Sequence, residues 1–437
     1  MIWNKERETM PRREIEALQL EGLKWTVDRV YERVPYYRAK MDAIGLKPKH
    51  IRTLKDVQLL PYMTKQDFRD NYPFHNFAVP KEELVRIHAS SGTTGKPTVV
   101  GYTRNDLEMW TELMARIVCQ AGVMPGDTAQ IAFSYGLFTG AFGLHYGLER
   151  VGCGVVPIGG GNTEKQLMLM EDFGTTVLIA TPSYALYLGE RAQELGIDID
   201  KRLKLRVGLF GSEPWTEEMR RTIENSLHIK ATDNYGMSEL IGPGVAGDCE
   251  EFCGMHIAED HFLVETIDSE SGEVLPVGSE GELVFTSLDK EALPVIRYRT
   301  RDISVIDDTP CACGRTHARM RKISGRADDM LIIRGVNVFP SQIESALLGI
   351  SGIGPHYQIH VYRRNHLDDL EVLVEFTDDT LLDNYKKLMA LTEHAREKLY
   401  NTLGIHVKVR LVEPHSIERT QIGKAKRVFD HRNEPEQ

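Results

Sequence analysis

Between residues 99 and 227 the chain repeats one pattern, a short run rich in β-branched residues followed by a stretch with apolar residues at helical spacing. The runs are 99–102, 154–158, 176–180 and 206–210, and the helical stretches 105–118, 164–173, 184–195 and 217–227 follow them. Strands that are apolar on both faces, joined by helices, bury themselves as a parallel sheet with crossover helices. An α/β domain of βαβ units is therefore predicted. Ahead of it, Ile15, Leu18, Leu23, Val27, Val30, Tyr31 and Val34 recur at helical spacing and predict an amphipathic helical segment over 11–46. After Asn234 the texture changes, and the runs 262–267, 282–286 and 295–298, set between Gly-rich turns, predict a strand-rich subdomain. From Asp328 onward a strand (330–333), a helix opening at Ser341, strands at 358–362 and 371–376, a long helix (381–403) and a last strand (407–412) are enough for a small α+β domain. The expected organisation is α/β, with a large domain over 1–327 and a small one over 328–437.

Charge and cysteine content remove whole classes of function. Against 64 Asp and Glu stand 53 Lys and Arg, a formal balance of −11, which leaves no global basic field for nucleic acid. Six cysteines in 437 residues are too few for a disulfide scaffold, and the N-terminal residues contain no apolar signal-peptide core, so a reducing cytoplasm is expected. One segment, 128–148, lacks any Asp, Glu, Lys or Arg over about the length of a membrane span. Four glycines and the polar side chains of Gln130, Ser134, Tyr135, Thr139 and His145 dilute it, so it reads as a buried pocket wall and no membrane partner is expected.

The strongest local signal is Ser90-Ser91-Gly92-Thr93-Thr94-Gly95-Lys96-Pro97. Small and hydroxyl-bearing residues let backbone N–H groups approach a polyphosphate, and Lys96 adds charge. It is not a Walker A loop, because only Thr93 and Thr94 separate Gly92 from Gly95-Lys96. The same composition also makes a plain surface turn.

Four further motifs follow in order: Tyr235-Gly236-Met237-Ser238-Glu239, Tyr298-Arg299-Thr300-Arg301-Asp302, Gly325-Arg326-Ala327-Asp328-Asp329 and Gly423-Lys424. As an ordered set they resemble the adenylate-forming enzymes. From Val34-Pro35-Tyr36-Tyr37 to its end the chain is similar to the phenylacetate-CoA ligase branch, notably at Asp70-Asn71-Tyr72-Pro73-Phe74, Gly211-Ser212-Glu213-Pro214-Trp215, Leu293-Pro294-Val295-Ile296-Arg297-Tyr298 and the run 329–340.

The resemblance implies a two-step reaction. A carboxylate attacks the α-phosphate of ATP to give an acyl-adenylate and pyrophosphate, and the thiol of CoA then displaces AMP. Ser91, Thr93, Thr94, Gly95 and Lys96 would hold phosphates, and Glu239 would help hold Mg²⁺, for which a hard carboxylate is suited. Ser238 would donate to a phosphate or to the acid. Asp302 would accept both ribose hydroxyls, although Arg299 and Arg301 beside it also suit a structural ion pair. Ser212, Glu213 and Pro214, with Asp233, Asn234, Tyr235, Gly236 and Met237, would surround adenine, and Arg326 would join the nucleotide contacts. Lys424 would bridge the carboxylate and the α-phosphate as the charge spreads in the transition state. Asp328 would be the hinge about which a mobile small domain turns. Tyr135, Gly136, Phe138, Gly140 and Ala141 would line the acid pocket, where aromatic and small uncharged residues suit an aryl ring.

Four cysteines form two clusters, Cys249 and Cys253 ahead of His256, and Cys311-Ala312-Cys313-Gly314. Thiolates with an imidazole in Gly-flanked turns are the donors of a closed structural zinc site, and free thiols in a reducing cell are the alternative. Branch members carry a Cys and a His at the spacing of Cys249 and His256 and a similar second turn, so the resemblance implies Cys249, His256, Cys311 and Cys313 as ligands, with Cys253 as the substitute. The expected function is ligation of an arylacetic acid to CoA, phenylacetate first, then hydroxyphenylacetate or indoleacetate. A relative that adenylylates for a non-CoA acceptor, and a nucleotide-binding regulator without catalysis, are the alternatives; Lys424, Glu239 and Asp302 speak against the second. The family habit also admits a homodimer.

Overall fold

The computed structural model describes every residue except 91–96, 335, 365–366, 378–383, 422–424 and 433–437. In chain order the first elements are α1 (Lys5–Glu8), α2 (Arg12–Arg33), α3 (Pro35–Ala43), α4 (Lys65–Asp70), β1 (Arg86–Ala89), β2 (Val99–Tyr102), α5 (Arg104–Gln120), β3 (Thr128–Ile131), α6 (Gly140–Val151), β4 (Gly154–Val156), α7 (Thr163–Asp172) and β5 (Val177–Ala180). Then follow α8 (Pro182–Glu194), α9 (Ile199–Arg202), β6 (Val207–Gly211), α10 (Glu217–Leu227), β7 (Lys230–Met237), β8 (Gly242–Asp248), β9 (Met255–Ile257), β10 (Phe262–Ile267), β11 (Glu280–Ser287), β12 (Tyr298–Asp307) and β13 (Arg319–Met320). The last are β14 (Gly325–Arg326), β15 (Leu331–Ile333), β16 (Val336–Val338), α11 (Pro340–Leu348), β17 (Ile353–Arg364), β18 (Leu367–Phe376), α12 (Tyr385–Leu403), β19 (Lys408–Val412) and β20 (Val428–Asp430).

The residues group into two compact units. The first holds Met1–Ala180, Asp198–Ser212 and Lys230–Ile323, and the second holds Thr181–Ile197, Glu213–Ile229 and Ser324–Gln437. In the first, one sheet runs in the order β10-β11-β12-β13-β9-β8-β7-β6-β5-β3-β4. Its β4, β3, β5, β6 and β7 end is parallel, as the alternation predicts for the runs 154–158, 176–180 and 206–210, and the sheet turns antiparallel where β7 meets β8. The run 99–102 does not join it: as β2 it pairs antiparallel with β1 in a separate two-stranded sheet. The central parallel strands are buried on both faces: every residue of β5 and β6 lies in the interior. In the second unit, β17 and β18 pair antiparallel, flanked in parallel by β20 and β19. Ile343, Leu347, Ile359, Val361, Val372, Val374 and Leu399 form its core.

Two further local expectations change. The helical segment over 11–46 breaks into α2 and α3 at Val34-Pro35, because proline lacks the N–H that would continue the first helix but suits the first position of the second. The run 295–298 is not a strand; the β12 ladder begins at Tyr298. Arg297 instead turns out of extended geometry (φ 45°), which delivers its buried guanidinium to Glu265 at 2.9 Å and to Leu60 O at 3.0 Å. The uncharged run 128–148 becomes β3, a loop and α6. Among the described residues, no helix is long and apolar enough to cross a membrane.

Candidate active site

The C-terminal end of β7 gathers the motif residues. Asn234 donates from Nδ2 to Phe210 O on the neighbouring β6 (2.6 Å), while the Asp233 amide donates to Asp248 Oδ2 (2.9 Å). Between Tyr235 and Gly236 the register to β8 shifts, and a Cβ on Gly236 would stand 2.0 Å from Gly242 O. Only glycine permits that approach. The chain then turns through Ser238 and Glu239, both buried, with Ser238 Oγ 3.2 Å from Thr139 Oγ1 at the start of α6. On the other side of β7, Ser212 follows β6 with a left-handed backbone (φ 73°).

Asp302 on β12 meets this strand directly. The Tyr235 hydroxyl donates to Asp302 Oδ2 at 2.7 Å, and the Tyr235 ring stacks on Phe285 at 6.1 Å. The arginines beside Asp302 in sequence take a different partner: Arg299 Nη2 lies 2.6 Å and Arg301 Nη1 3.4 Å from the buried Glu282. Asp302 thus keeps a carboxylate held by a neutral phenol, a geometry suited to accepting hydroxyl donors.

The loop between β3 and α6, with the first turn of α6, carries the expected pocket residues. Tyr135 sets its ring edge against Phe142 (5.2 Å) and its hydroxyl 3.1 Å from His145 Nδ1. Phe138 lies over Gly140, where a Cβ would come within 2.5 Å of its ring. Gly136 is left-handed (φ 129°), and Ala141 is fully buried in the core behind the loop. Leu137 presents its side chain outward while its carbonyl accepts from the Ala89 amide (3.0 Å) and from His88 Nδ1 (3.0 Å). Burial pushes the His88 imidazole below its ordinary value, so it is neutral and donates through Nδ1–H. Aromatic loop and β1 are thereby tied together just before the phosphate-loop residues. Ser91, Thr93, Thr94, Gly95 and Lys96 themselves, like Lys424, lie outside the described residues.

In the second unit Glu213 is a backbone anchor. Its Oε1 accepts from the Ser183 amide (2.7 Å) at the start of α8, and Oε2 accepts from the Ala425 amide (3.1 Å), next in sequence to Lys424. Pro214 follows it before α10. Arg326 Nε lies 3.0 Å from the Asp328 carboxylate in a half-exposed ion pair.

The cysteine clusters converge. Cys249, His256, Cys311 and Cys313 bring one donor atom each to within 4.8 Å of all the others. Cys249 and Cys311 sulfurs are 3.8 Å apart, about the edge of a tetrahedron with Zn–S bonds near 2.3 Å. His256 turns Nδ1 to His317 O (3.1 Å) and Nε2 to Cys313 Sγ (3.3 Å), so the imidazole is oriented by a carbonyl and its metal-binding nitrogen faces the sulfurs. Hydrogen bonding from Cys249, then His256, draws the Cys313 thiol far below its ordinary value. This donor set fits zinc. Cys253 stands aside, 3.4 Å from Cys311 and with its sulfur against Arg319 Nη1 at 2.6 Å. The second turn is sewn to the N-terminal segment by Arg315 Nε on Glu8 Oε2 (2.5 Å).

One buried group escaped sequence reading altogether. Lys290, in the polar run Asp289-Lys290-Glu291, looks like a solvated charge, yet it is 1% exposed and its ammonium reaches the backbone of Glu239 and Leu240. Burial lowers its pKa to about 8, with Asp106 and Glu239 pulling the other way.

A carboxylate held between two strands, a buried acid on a glycine-bent turn and an aromatic loop are thus what the motif residues build in the first unit. The family model of AMP-binding enzymes matches residues 28–288, and that of the AMP-binding enzyme C-terminal domain matches 335–432. The chain belongs to this family of adenylate-forming enzymes. Within it the chain falls in the phenylacetate-coenzyme A ligase branch. It is 48% identical to the phenylacetate-coenzyme A ligase of Thermus thermophilus, over 99% of this chain and 100% of that one, and 51% identical to that of Escherichia coli, over 96% and 95%. Among solved structures, 2-hydroxyisobutyryl-CoA ligase bound to an acyl-adenylate is similar with a TM-score of 0.92 at 30% identity, covering 98% of this chain and 92% of that one.

Proposed function

We propose that the protein is an ATP-dependent acid–CoA ligase whose acid is an arylacetate, phenylacetate first. The observation that carries the reading is the near-full-length similarity to phenylacetate-coenzyme A ligases of several bacteria at 48–51% identity. The uncharged stretch that carries Tyr135 and Phe138 in the loop and Phe142 in α6 supports an aryl ring, because only the acid's own carboxylate then has polar partners to find.

In this reading Asp302, steadied by Tyr235, accepts the ribose hydroxyls. Ser212, Asp233, Asn234, Gly236 and Met237 contribute to the nucleotide contacts, and the family resemblance assigns Glu213, Pro214 and Arg326 to them as well. Glu239 holds Mg²⁺ on the phosphates gripped by Ser91, Thr93, Thr94, Gly95 and Lys96. Lys424 stabilises the charge that spreads over the α-phosphate as the carboxylate attacks. The C–O–P anhydride of the acyl-adenylate forms as pyrophosphate leaves, and the CoA sulfur then attacks the acyl carbon and expels AMP. The reading takes the large part as 1–327 and the small part as 328–437, with a hinge at Asp328; the family matches end at 288 and resume at 335. Cys249, His256, Cys311 and Cys313 hold a structural zinc, since four protein ligands leave no position for substrate. Six free cysteines agree with a reducing cytoplasm.

The test is thioester formation with ATP, Mg²⁺ and CoA across arylacetic, benzoic and short aliphatic acids, beside Lys424→Ala. Arylacetyl-CoA from the wild type, with adenylation lost in the variant, is the expected result. AMP formed without any thioester would instead assign a non-CoA acceptor.

A further inference from the structure

The turn that carries Ser238 and Glu239 is gripped from behind by a row of buried side-chain donors. Lys290 Nζ donates to Glu239 O (3.3 Å) and to Leu240 O, Tyr102 Oη donates to Ile241 O (2.9 Å), and Trp110 Nε1 donates to Pro243 O (2.7 Å). The three donors come from three separate segments, the loop after β11, the end of β2, and α5. They also touch one another. The ammonium stands 5.4 Å from the centre of the Tyr102 ring, and that ring stacks on Trp110 at 5.0 Å and 9°. None is more than 1% exposed. Gly242 in the gripped segment is left-handed (φ 105°), and a Cβ there would press on Trp110 at 2.6 Å.

The segment bearing Lys290 is fixed in turn. Asp106, in the first turn of α5, accepts from the Glu291 amide (2.7 Å) and the Ala292 amide (3.0 Å), and Thr103 Oγ1 donates to Glu291 Oε2 (2.7 Å). An interior lysine costs free energy that an apolar residue would avoid, so its retention asks for a reason. Successive carbonyls of a turn point inward here, and a side chain that donates to two of them at once holds the turn in one conformation.

We propose that Lys290, with Tyr102 and Trp110, is a positioning device for the adenylation half-reaction, holding the turn so that Glu239 and Ser238 already stand where the metal-bound phosphate needs them. This rests on the ligase reading above. The device acts through the turn and touches no substrate. Transfer of the acyl group to CoA, which breaks the C–O–P link without a polyphosphate present, does not depend on it.

The experiment compares wild type, Tyr102→Phe and Lys290→Met in two assays: acid-dependent ATP–pyrophosphate exchange across a Mg²⁺ titration, and thioester formation from CoA and synthetic phenylacetyl-adenylate. Tyr102→Phe keeps the ring stack and removes one donor, so it reports even if Lys290→Met fails to fold. An acceptor left unpaired in the interior predicts about a tenfold loss of exchange for Tyr102→Phe and about a hundredfold loss for Lys290→Met. The Mg²⁺ requirement should rise while thioester formation from the adenylate stays at the wild-type rate. Equal losses in both assays, which a merely structural role would give, overturn the proposal, as does undiminished exchange in Tyr102→Phe. Wild type that exchanges no pyrophosphate with any acid sinks the ligase reading, and the proposal with it.

Discussion

Tyr235→Phe is a narrow perturbation of the proposed nucleotide site. It deletes one oxygen, leaves the ring on Phe285, and removes the 2.7 Å hydrogen bond to Asp302. Both residues are under a tenth exposed, so water does not freely replace the phenol. A hydrogen bond to a charged partner in such a place is worth about 1.5–3 kcal/mol, or about 10- to 150-fold in a binding constant. Ribose hydroxyls arriving at the same carboxylate restore part of that loss, so the lower end is expected. Steady-state rates at saturating acid and CoA should show KM for ATP raised about tenfold with kcat within about twofold, the pattern of lost uniform binding. Asp302→Ala should go further, to about a hundredfold, by removing the acceptor itself. Unchanged KM in both variants would refute the ribose assignment; unchanged KM in Tyr235→Phe alone would show that Asp302 needs no help from the phenol.

Other outcomes follow from separate parts of the molecule. Purified protein should contain about one equivalent of zinc, and Cys311→Ser should lose it and unfold at lower urea; a full-length wild type free of metal and equally stable would refute the site. His261 is half-buried, and desolvation alone would lower its pKa, yet Asp260 and Asp289 raise it from 6.5 to about 9 beside Arg116. Its contribution to stability is complete below the unfolded value and vanishes as pH climbs through 9, so wild type should lose on the order of 3 kcal/mol relative to His261→Gln between pH 6 and about 10, measured by urea unfolding. Gly147→Ala should cost about 1–3 kcal/mol by the same method, because its new Cβ would stand 2.4 Å from Met114 Cβ and 2.8 Å from that residue's backbone where α5 and α6 touch. A neutral result there would mean the helices separate more freely than their packing indicates.

Local pattern carried much of the architecture. The helix over 217–227 and the strand over 262–267 are legible to the residue, since amphipathic spacing and turn residues at both ends are properties of the chain itself. The glycine-rich strand β8 and the short strands β9 and β13 are not, because each is held by its neighbours more than by its own composition. Arg297 defeated the reading of 295–298 for a related reason: its conformation answers to Glu265 and to Leu60 O, more than two hundred residues away in one case.

At the candidate site the sequence by itself determined which chemical groups are present and in what order: a glycine-rich hydroxyl loop, an acid after Tyr235-Gly236-Met237-Ser238, an acid after an arginine pair, and thiols with an imidazole. Only the tertiary structure decided the partner of each. Arg299 and Arg301 go to Glu282, Tyr235 goes to Asp302, Cys253 yields to Cys249, and Lys290 leaves solvent for the back of the Glu239 turn. The physical reason is that residue type and spacing are set within a few positions along the chain, whereas desolvation and hydrogen-bond pairing are settled between segments that meet only once the sheet has its register.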